Sequence, residues 1–228
     1  MMSFRVFESN EELARGLAET LVRTIESRDR TVVALSGGST PKDLYAVLGA
    51  GAVHQKLSPR EVVWVVGDER CVPPDHPASN AKMIREALFA RGIPERHRLL
   101  AFRTEEGTPE EIAARFEAEW RENGISSVDI AILGMGEDGH TASLFPETNV
   151  LEVTEKIAAA VFVPKLDAWR VTVTLPELRR AAVKYVIAAG ATKRETIERV
   201  RAGDDYPIAR VIDGDGECWW FVDREAYG

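Results

Sequence analysis

One histidine, His140, stands beside an acidic residue in the glycine-rich segment ILGMGEDGHTASLFP, residues 132–146. Its imidazole can take and return a proton near neutral pH. Asp138, two residues earlier, can orient the ring or stabilise its charged form. A lone loop histidine is more often structural, but here it follows an apolar run and three glycines that allow tight turns. The pattern therefore predicts a proton-transferring histidine at the carboxyl end of a strand, where α/β sheets bind ligands.

A second glycine-rich turn has the sequence GGSTPKDLY and follows another apolar run. Gly37 and Gly38 let the chain turn sharply before Thr40, which we expect to cap a helix with a proline in its first turn. The amides, the helix dipole and the hydroxyls of Ser39 and Thr40 form a candidate cradle for a phosphate monoester. The turn fits neither a Walker loop nor a dinucleotide turn. An ordinary strand-to-helix turn is an equally good interpretation.

Charged residues follow a third apolar run, where Asp68, Glu69 and Arg70 open the segment GDERCVPPDHPASN. A charged side chain that is partly buried at the edge of a sheet needs a partner, which is either a ligand or another charged residue. A ligand site and a local ion-pair network are therefore the two alternatives for these residues. Arg170 and Lys193 also lie at predicted sheet edges, where a guanidinium or ammonium group can meet phosphate. The structural alternative for these two cations is solubility alone.

Other chemistries have little support in the sequence. There is no HExxH, paired CxxC or histidine cluster with ligand spacing, so we predict no metal site. No GxSxG turn presents a serine nucleophile. The remaining histidines, His54, His76 and His97, have no partner motif and receive no chemical role.

Length and composition predict a single domain over residues 1–228, with 45% hydrophobic residues available for a core. The formal net charge of −8 disfavours nucleic acid and anionic membranes as partners. Apolar runs are much shorter than the roughly 20 residues that span a bilayer, and the first residues lack a secretory signal. Cys71 and Cys218 are too few for a disulfide framework and favour the cytoplasm, although one bridge stays an alternative.

Apolar runs alternate with helical patterns along the chain, which is typical of an α/β fold with a mainly parallel sheet covered on both faces. Nine strands are predicted, at residues 4–7, 31–36, 62–67, 98–102, 128–133, 157–163, 170–174, 183–189 and 218–222. Capping boxes are predicted for Ser9 with Glu12, Thr108 with Glu111, and Thr192 with Glu195, and Pro176 suits a first helical turn.

The segments LSGGSTPKDLY, GDERCVPPDHPASN and ILGMGEDGHTASLFP, in this order, resemble the 6-phosphogluconolactonase family. The similarity extends through RVTVTLP to the helix at Lys193, so it covers nearly the whole chain. It implies a Rossmann-like three-layer α/β fold shared with glucosamine-6-phosphate deaminase. It also implies hydrolysis of 6-phospho-D-glucono-1,5-lactone to 6-phosphogluconate in the oxidative pentose phosphate pathway, with no cofactor and no metal.

The resemblance implies a role for each candidate residue. His140 would be the general base, Asp138 would orient it, and Arg70 would hold the substrate or stabilise the oxyanion. The substrate-binding set is Gly37, Gly38, Ser39, Thr40, Asp68, Arg170 and Lys193. The expected partner is a phosphorylated sugar lactone, and we expect a monomer or weak homodimer in the cytoplasm.

Two alternative functions stay open. A deaminase-like aldose–ketose isomerase would carry a ring-opening glutamate five residues after the histidine, where this chain has Phe145. The deaminases also have a DEY sequence where this chain has an arginine as the third residue. A non-catalytic sugar-phosphate sensor would keep the phosphate cradle but would need neither His140 nor Asp138. The two departures from the deaminase pattern, and the presence of both His140 and Asp138, favour the lactonase.

Overall fold

The computed structural model describes residues 2–228, which contain ten strands and nine α-helices. The strands are β1 Ser3–Phe7, β2 Arg30–Leu35, β3 Glu61–Val66, β4 Asp68–Arg70, β5 His97–Leu100, β6 Ile130–Gly134, β7 Ala158–Val163, β8 Ala168–Val173, β9 Val183–Ala188 and β10 Glu217–Asp223. The helices are α1 Asn10–Glu26, α2 Ser39–Gly49, α3 Gly51–Leu57, α4 Asn80–Leu88, α5 Pro109–Glu122, α6 Leu175–Arg179, α7 Arg194–Ala202, α8 Pro207–Ile212 and α9 Arg224–Tyr227.

A seven-stranded sheet forms the centre of the molecule, in the order β1-β10-β9-β6-β2-β3-β5. Every neighbouring pair in it runs parallel. Strands β2 and β3 bury every residue after their first, as continuous apolar strands must when both faces of a sheet are covered. The predicted α/β fold with a mainly parallel central sheet is therefore confirmed.

A second, three-stranded sheet has the order β4-β8-β7 and is antiparallel throughout. The prediction that segments 157–163 and 170–174 belong to the parallel sheet was wrong, and β4 was not predicted. Only the four residues 164–167 separate β7 from β8, whereas a parallel crossover needs a dozen or more. The short connection forces a hairpin, and β4 pairs with β8, which becomes the central strand of this sheet.

The predicted helix starts have mixed outcomes. Thr108 and Glu111 form a full capping box at α5, and Pro176 lies in the first turn of α6. At α1 the Ser9 hydroxyl caps the helix, but the carboxylate of Glu12 accepts from the N–H of Glu8 rather than from Ser9.

The prediction that Thr192 caps a helix was wrong. A short 3₁₀ turn spans Ala191–Lys193, and α7 starts only at Arg194 with no side-chain cap. The turn places Thr192 before the position from which a hydroxyl can reach the first free amides of the helix.

The buried apolar side chains form one contiguous core that includes both sheets and the inner faces of the helices. Helix α1 contributes Leu13, Leu17 and Leu21, whose spacing puts them on a single face. Cys71 and Cys218 are both free thiols. In residues 2–228 no helix has the length and apolar character needed to cross a membrane.

Candidate active site

A cavity of about 240 Å³ opens at the carboxyl ends of β2, β3, β6 and β9. It brings together nine of the ten predicted site residues: Gly37, Gly38, Ser39, Thr40, Asp68, Arg70, His140, Arg170 and Lys193. The tenth, Asp138, lies behind His140 rather than in the cavity wall. A larger cavity of about 810 Å³ near Trp219 contains none of them. Parallel strands end together at this edge, which is why segments far apart in sequence meet here.

The turn after β2 forms one wall of the cavity. Helix α2 begins at Ser39, and Gly38 is its N-cap with a φ of 113°. The prediction that Thr40 is the cap was wrong, because glycine makes the turn itself and draws Thr40 into the first turn of the helix. The first N–H groups of a helix have no acceptor within it. In residues 2–228 the backbone N–H groups of Ser39 and Thr40 have no acceptor, and both residues border the cavity, which suits an anionic group.

Asn80, the first residue of α4, ties this turn to β4. Its amide nitrogen donates to the Asp68 backbone oxygen at 2.8 Å and to the Asp68 carboxylate at 3.2 Å. A Cβ atom on Gly37 would lie only 2.1 Å from the side-chain oxygen of Asn80. Position 37 therefore needs glycine for this close approach, and Asn80 sets the distance between the turn and Asp68.

The two carboxylates of β4 have different surroundings. Asp68 faces the cavity and accepts from the Ser143 hydroxyl at 2.7 Å. Glu69 accepts from the backbone N–H groups of Arg70, Asn80 and Ala81 and so holds the start of α4. Burial raises the pKa of Glu69, and these hydrogen bonds oppose that effect. The described chain has no ion pair within 4.0 Å between Arg70 and either carboxylate, so the alternative of a local ion-pair network does not hold.

Two arginines project into the cavity from the antiparallel sheet. Arg70 and Arg170 are direct cross-strand partners on β4 and β8. One nitrogen of Arg70 donates to the Ala78 carbonyl at 2.5 Å, but the Nε atoms of both arginines are buried without a hydrogen-bond partner in residues 2–228. Burial, followed by the Arg70 guanidinium, lowers the pKa of Arg170. Two neighbouring guanidiniums with unused donors favour an anionic ligand between them.

His140 lines the cavity from the loop after β6. Its Nδ1 atom lies 2.5 Å from the Asp138 carboxylate, and its ring stacks on Phe145 with 4.1 Å between centroids. A carboxylate only accepts, so Nδ1 carries the proton and Nε2 of the neutral ring is the free acceptor. A Cβ atom on Gly136 would lie 2.1 Å from Nδ1, so that glycine allows the histidine and aspartate to pack together.

The charge state of His140 suits a base. Burial lowers the pKa of His140 to about 4, with further lowering from the cations Lys193, Arg170 and Arg70 and an opposing effect of Asp68. The ring is therefore neutral at pH 7 and ready to accept a proton. The arrangement offers a proton acceptor, paired guanidiniums and free helix amides around one small volume.

Several residues of the site escaped the sequence analysis. Asn80 and Ser143 hold Asp68, Phe145 supports the imidazole, and the Lys165 ammonium contacts the Asp138 carboxylate. Ser79 gave a local signal for Asn80, because an N-cap residue places the next side chain at the helix start. Nothing local links Ser143 to Asp68 or Lys165 to Asp138. In residues 2–228 no group of three or more His, Cys, Asp or Glu side chains is arranged to hold a metal ion.

Comparison with known proteins gives concordant results. Residues 7–220 match the family described as glucosamine-6-phosphate isomerases/6-phosphogluconolactonase. A 6-phosphogluconolactonase from Nostoc sp. (strain PCC 7120) is 36% identical over 94% of this chain and 92% of its own length. The Homo sapiens 6-phosphogluconolactonase is 33% identical over 97% of this chain and 91% of its own length.

Solved structures agree with the sequence matches. The 6-phosphogluconolactonase of Trypanosoma brucei superposes with a TM-score of 0.84 at 26% identity, covering 99% of this chain and 97% of that protein. A monomeric glucosamine-6-phosphate deaminase of the NagB superfamily superposes with a TM-score of 0.81 at 20% identity, over 99% and 98% of the two chains. This second likeness concerns the fold alone. The predicted fold relationship to both enzyme groups is confirmed.

Proposed function

The chain belongs to the glucosamine-6-phosphate isomerase/6-phosphogluconolactonase family, and on that premise we propose that it hydrolyses 6-phospho-D-glucono-1,5-lactone to 6-phosphogluconate. This is the second step of the oxidative pentose phosphate pathway. One observation carries the proposal. The His140–Asp138 pair and the free amides at the start of α2 border the same cavity of about 240 Å³. The names of the relatives support the same activity.

Hydrolysis of a lactone needs a positioned water, a base and stabilisation of the carbonyl oxygen. Nε2 of His140 takes a proton from water as its oxygen attacks C1. Asp138 stabilises the imidazolium that forms. When the tetrahedral intermediate collapses, the bond between C1 and the ring oxygen breaks, and the imidazolium returns the proton to that oxygen. The products are the open-chain acid and the neutral histidine, ready for another cycle.

The remaining polar groups bind and orient the substrate. The phosphate lies on the turn Gly37–Thr40, with Arg170 and Lys193 as counter-charges, and Arg70 holds the substrate or stabilises the oxyanion. Both arginines have a buried, unused Nε donor, which supports anion contact. Binding energy from the phosphate, remote from C1, then orients the reacting carbon against His140.

Phe145 argues against the deaminase alternative. A deaminase-like enzyme is expected to place a glutamate at position 145, but the phenylalanine there is 3% exposed and packs on the His140 ring. No carboxylate from that position reaches the cavity. A non-catalytic sensor would not need the short contact between His140 and Asp138, so this contact favours an enzyme.

A coupled assay with His140→Ala tests the proposed base. Glucose-6-phosphate dehydrogenase generates the lactone, phosphogluconate dehydrogenase reports its opening, and a blank without the protein gives the spontaneous rate. Turnover should fall by roughly 10²–10⁴-fold. His54→Ala, which changes a histidine outside the cavity, should keep full activity. Unchanged turnover in His140→Ala would refute the base, and ammonia release from glucosamine 6-phosphate would support the deaminase instead.

A second experiment tests the phosphate contacts. Arg170→Ala and Lys193→Ala should raise KM for the phosphorylated lactone while leaving hydrolysis of unphosphorylated gluconolactone unchanged. Equal losses on both lactones would argue against contact with phosphate. The single domain, the cytoplasmic location and the monomeric or weakly dimeric state remain predictions.

A further inference from the structure

Lys165 lies outside the cavity but contacts the residue that supports its histidine. It sits in the 3₁₀ turn Pro164–Leu166, which joins β7 to β8. Its ammonium group contacts the Oδ2 atom of Asp138, 27 residues earlier, and lies 4.7 Å from the centre of the Phe145 ring. The tip of the antiparallel hairpin therefore reaches the loop that carries His140.

The Asp138 carboxylate is held on both of its oxygen atoms. Oδ1 accepts from Nδ1 of His140 at 2.5 Å and from the His140 backbone N–H at 3.2 Å, while Oδ2 accepts from Lys165. Phe145 packs against both the imidazole and the ammonium group. With one oxygen fixed by Lys165, the carboxylate cannot rotate away from the ring without losing a charged contact.

We propose that Lys165 is a positioning residue, which clamps Asp138 so that its Oδ1 stays on the Nδ1–H of His140 and Nε2 remains the proton acceptor. This role rests on the proposed function, because it takes His140 as the base. Lys165 touches neither the cavity nor the reacting atoms. Its contribution passes through Asp138 alone.

The charges around His140 give the role a measurable consequence. Asp68 and Arg70 face the ring from β4, Arg170 from β8, Lys193 from the turn before α7, Asp138 from the same loop, and Lys165 from the hairpin tip. Of these groups, Asp138 accepts from the ring at 2.5 Å, and without the ammonium group its Oδ2 atom loses the Lys165 contact, so the carboxylate can rotate and Oδ1 can leave Nδ1. A variant that lacks the charge should therefore hold less of the His140 ring protonated on Nδ1.

The contact contributes little to the fold by itself. The Lys165 side chain is 51% exposed and Asp138 is 31% exposed, and ion pairs of this kind add little stability. A loss of activity in a Lys165 variant can therefore be separated from unfolding by comparing thermal melting curves.

The experiment compares Lys165→Met and Lys165→Arg with wild type, and uses Lys156→Met as a matched control at an exposed lysine outside the cavity. In Lys165→Met, kcat should fall about 10-fold while KM stays within about two-fold. Lys165→Arg should restore kcat, and Lys156→Met should match wild type. Wild-type kcat in Lys165→Met, a change in KM alone, or failure of Lys165→Arg to restore activity would each overturn the role.

Nitrogen-15 NMR of labelled histidine separates this role from the proposed function, because it reads the tautomer of His140 without turnover. Lys165→Met should lower the share of the ring protonated on Nδ1, and Lys165→Arg should restore it. An unchanged tautomer in Lys165→Met would overturn the clamp even if His140→Ala abolishes hydrolysis. Retained hydrolysis in His140→Ala would instead refute the proposed base, whatever the tautomer does.

Discussion

Lowering the pH from 7 to about 4 should inactivate and destabilise the protein through the same group, His140. Burial lowers the pKa of His140 from its ordinary 6.5 to about 4; Asp68 opposes this effect, and Lys193, Arg170 and Arg70 add to it. The neutral ring is the base, so kcat/KM should stay level from neutrality to about pH 5 and reach half its maximum near pH 4. Because the side chain is only 30% exposed, solvent screening leaves most of this effect in place.

The effect on stability has a definite sign. The unfolded chain binds a proton on this histidine below about pH 6.5, whereas the folded chain does so only near pH 4. Acidification between these values therefore favours unfolding, and the loss is complete below the lower value. A pKa unit corresponds to about 1.4 kcal/mol, so the free energy of unfolding should fall by about 3 kcal/mol through His140 alone.

Two measurements test this reasoning together. NMR follows the lactone and the acid separately at any pH and gives kcat/KM without coupling enzymes. Urea unfolding of wild type and His140→Gln at pH 7 and pH 4 measures the contribution of the histidine together with its hydrogen-bonded partner Asp138, because the remaining titrating groups are common to both proteins. The stability of wild type relative to His140→Gln should decline by about 3 kcal/mol over this range. Half-maximal activity near pH 6.5, or a relative stability that does not change with pH, would refute the reasoning.

Two further substitutions test the supports of the fold and the site. Gly37→Ala should destabilise the protein by about 1–3 kcal/mol and raise KM, because its methyl group would lie 2.1 Å from the Asn80 side chain, which is 2% exposed. Denaturant unfolding and kinetics should show no comparable change in Gly51→Ala. Equal behaviour of the two variants would contradict the close approach. His97→Phe should cost about 1–3 kcal/mol in denaturant unfolding, because it leaves the Trp64 indole N–H, which donates to His97 at 3.1 Å, buried without a partner; an unchanged free energy of unfolding would contradict this.

Residues of the candidate site that lie close together in the sequence could be recognised from local signals. His140 and Asp138 are two residues apart, and the glycines around them give the turn directly. The turn at residues 37–40 was also recognised, with an error of two residues in the helix cap. All three motifs follow apolar strands, and the ends of parallel strands share one edge of a sheet. That rule was enough to expect one crevice, which the structure contains.

The errors arose where partners are distant in sequence. No partner was predicted for His97, but it is 4% exposed and bonds to Trp64 and to the Leu57 carbonyl. The hairpin of β7 and β8 was predicted as two parallel strands, because the residues of a strand do not determine which strand it pairs with. The clamp of Lys165 on Asp138 depends on that hairpin and was invisible for the same reason.

The sequence by itself determined the parallel core, the glycine turns and the pairing of a histidine with a nearby aspartate, because each is written within a window of a few residues. Only the tertiary structure decided that Arg70 lies opposite Arg170 and that Ser143 holds Asp68 from 75 residues away. Many pairings are compatible with the same local pattern. The choice among them follows from which arrangement buries the apolar surface of the whole chain while still satisfying its buried polar groups.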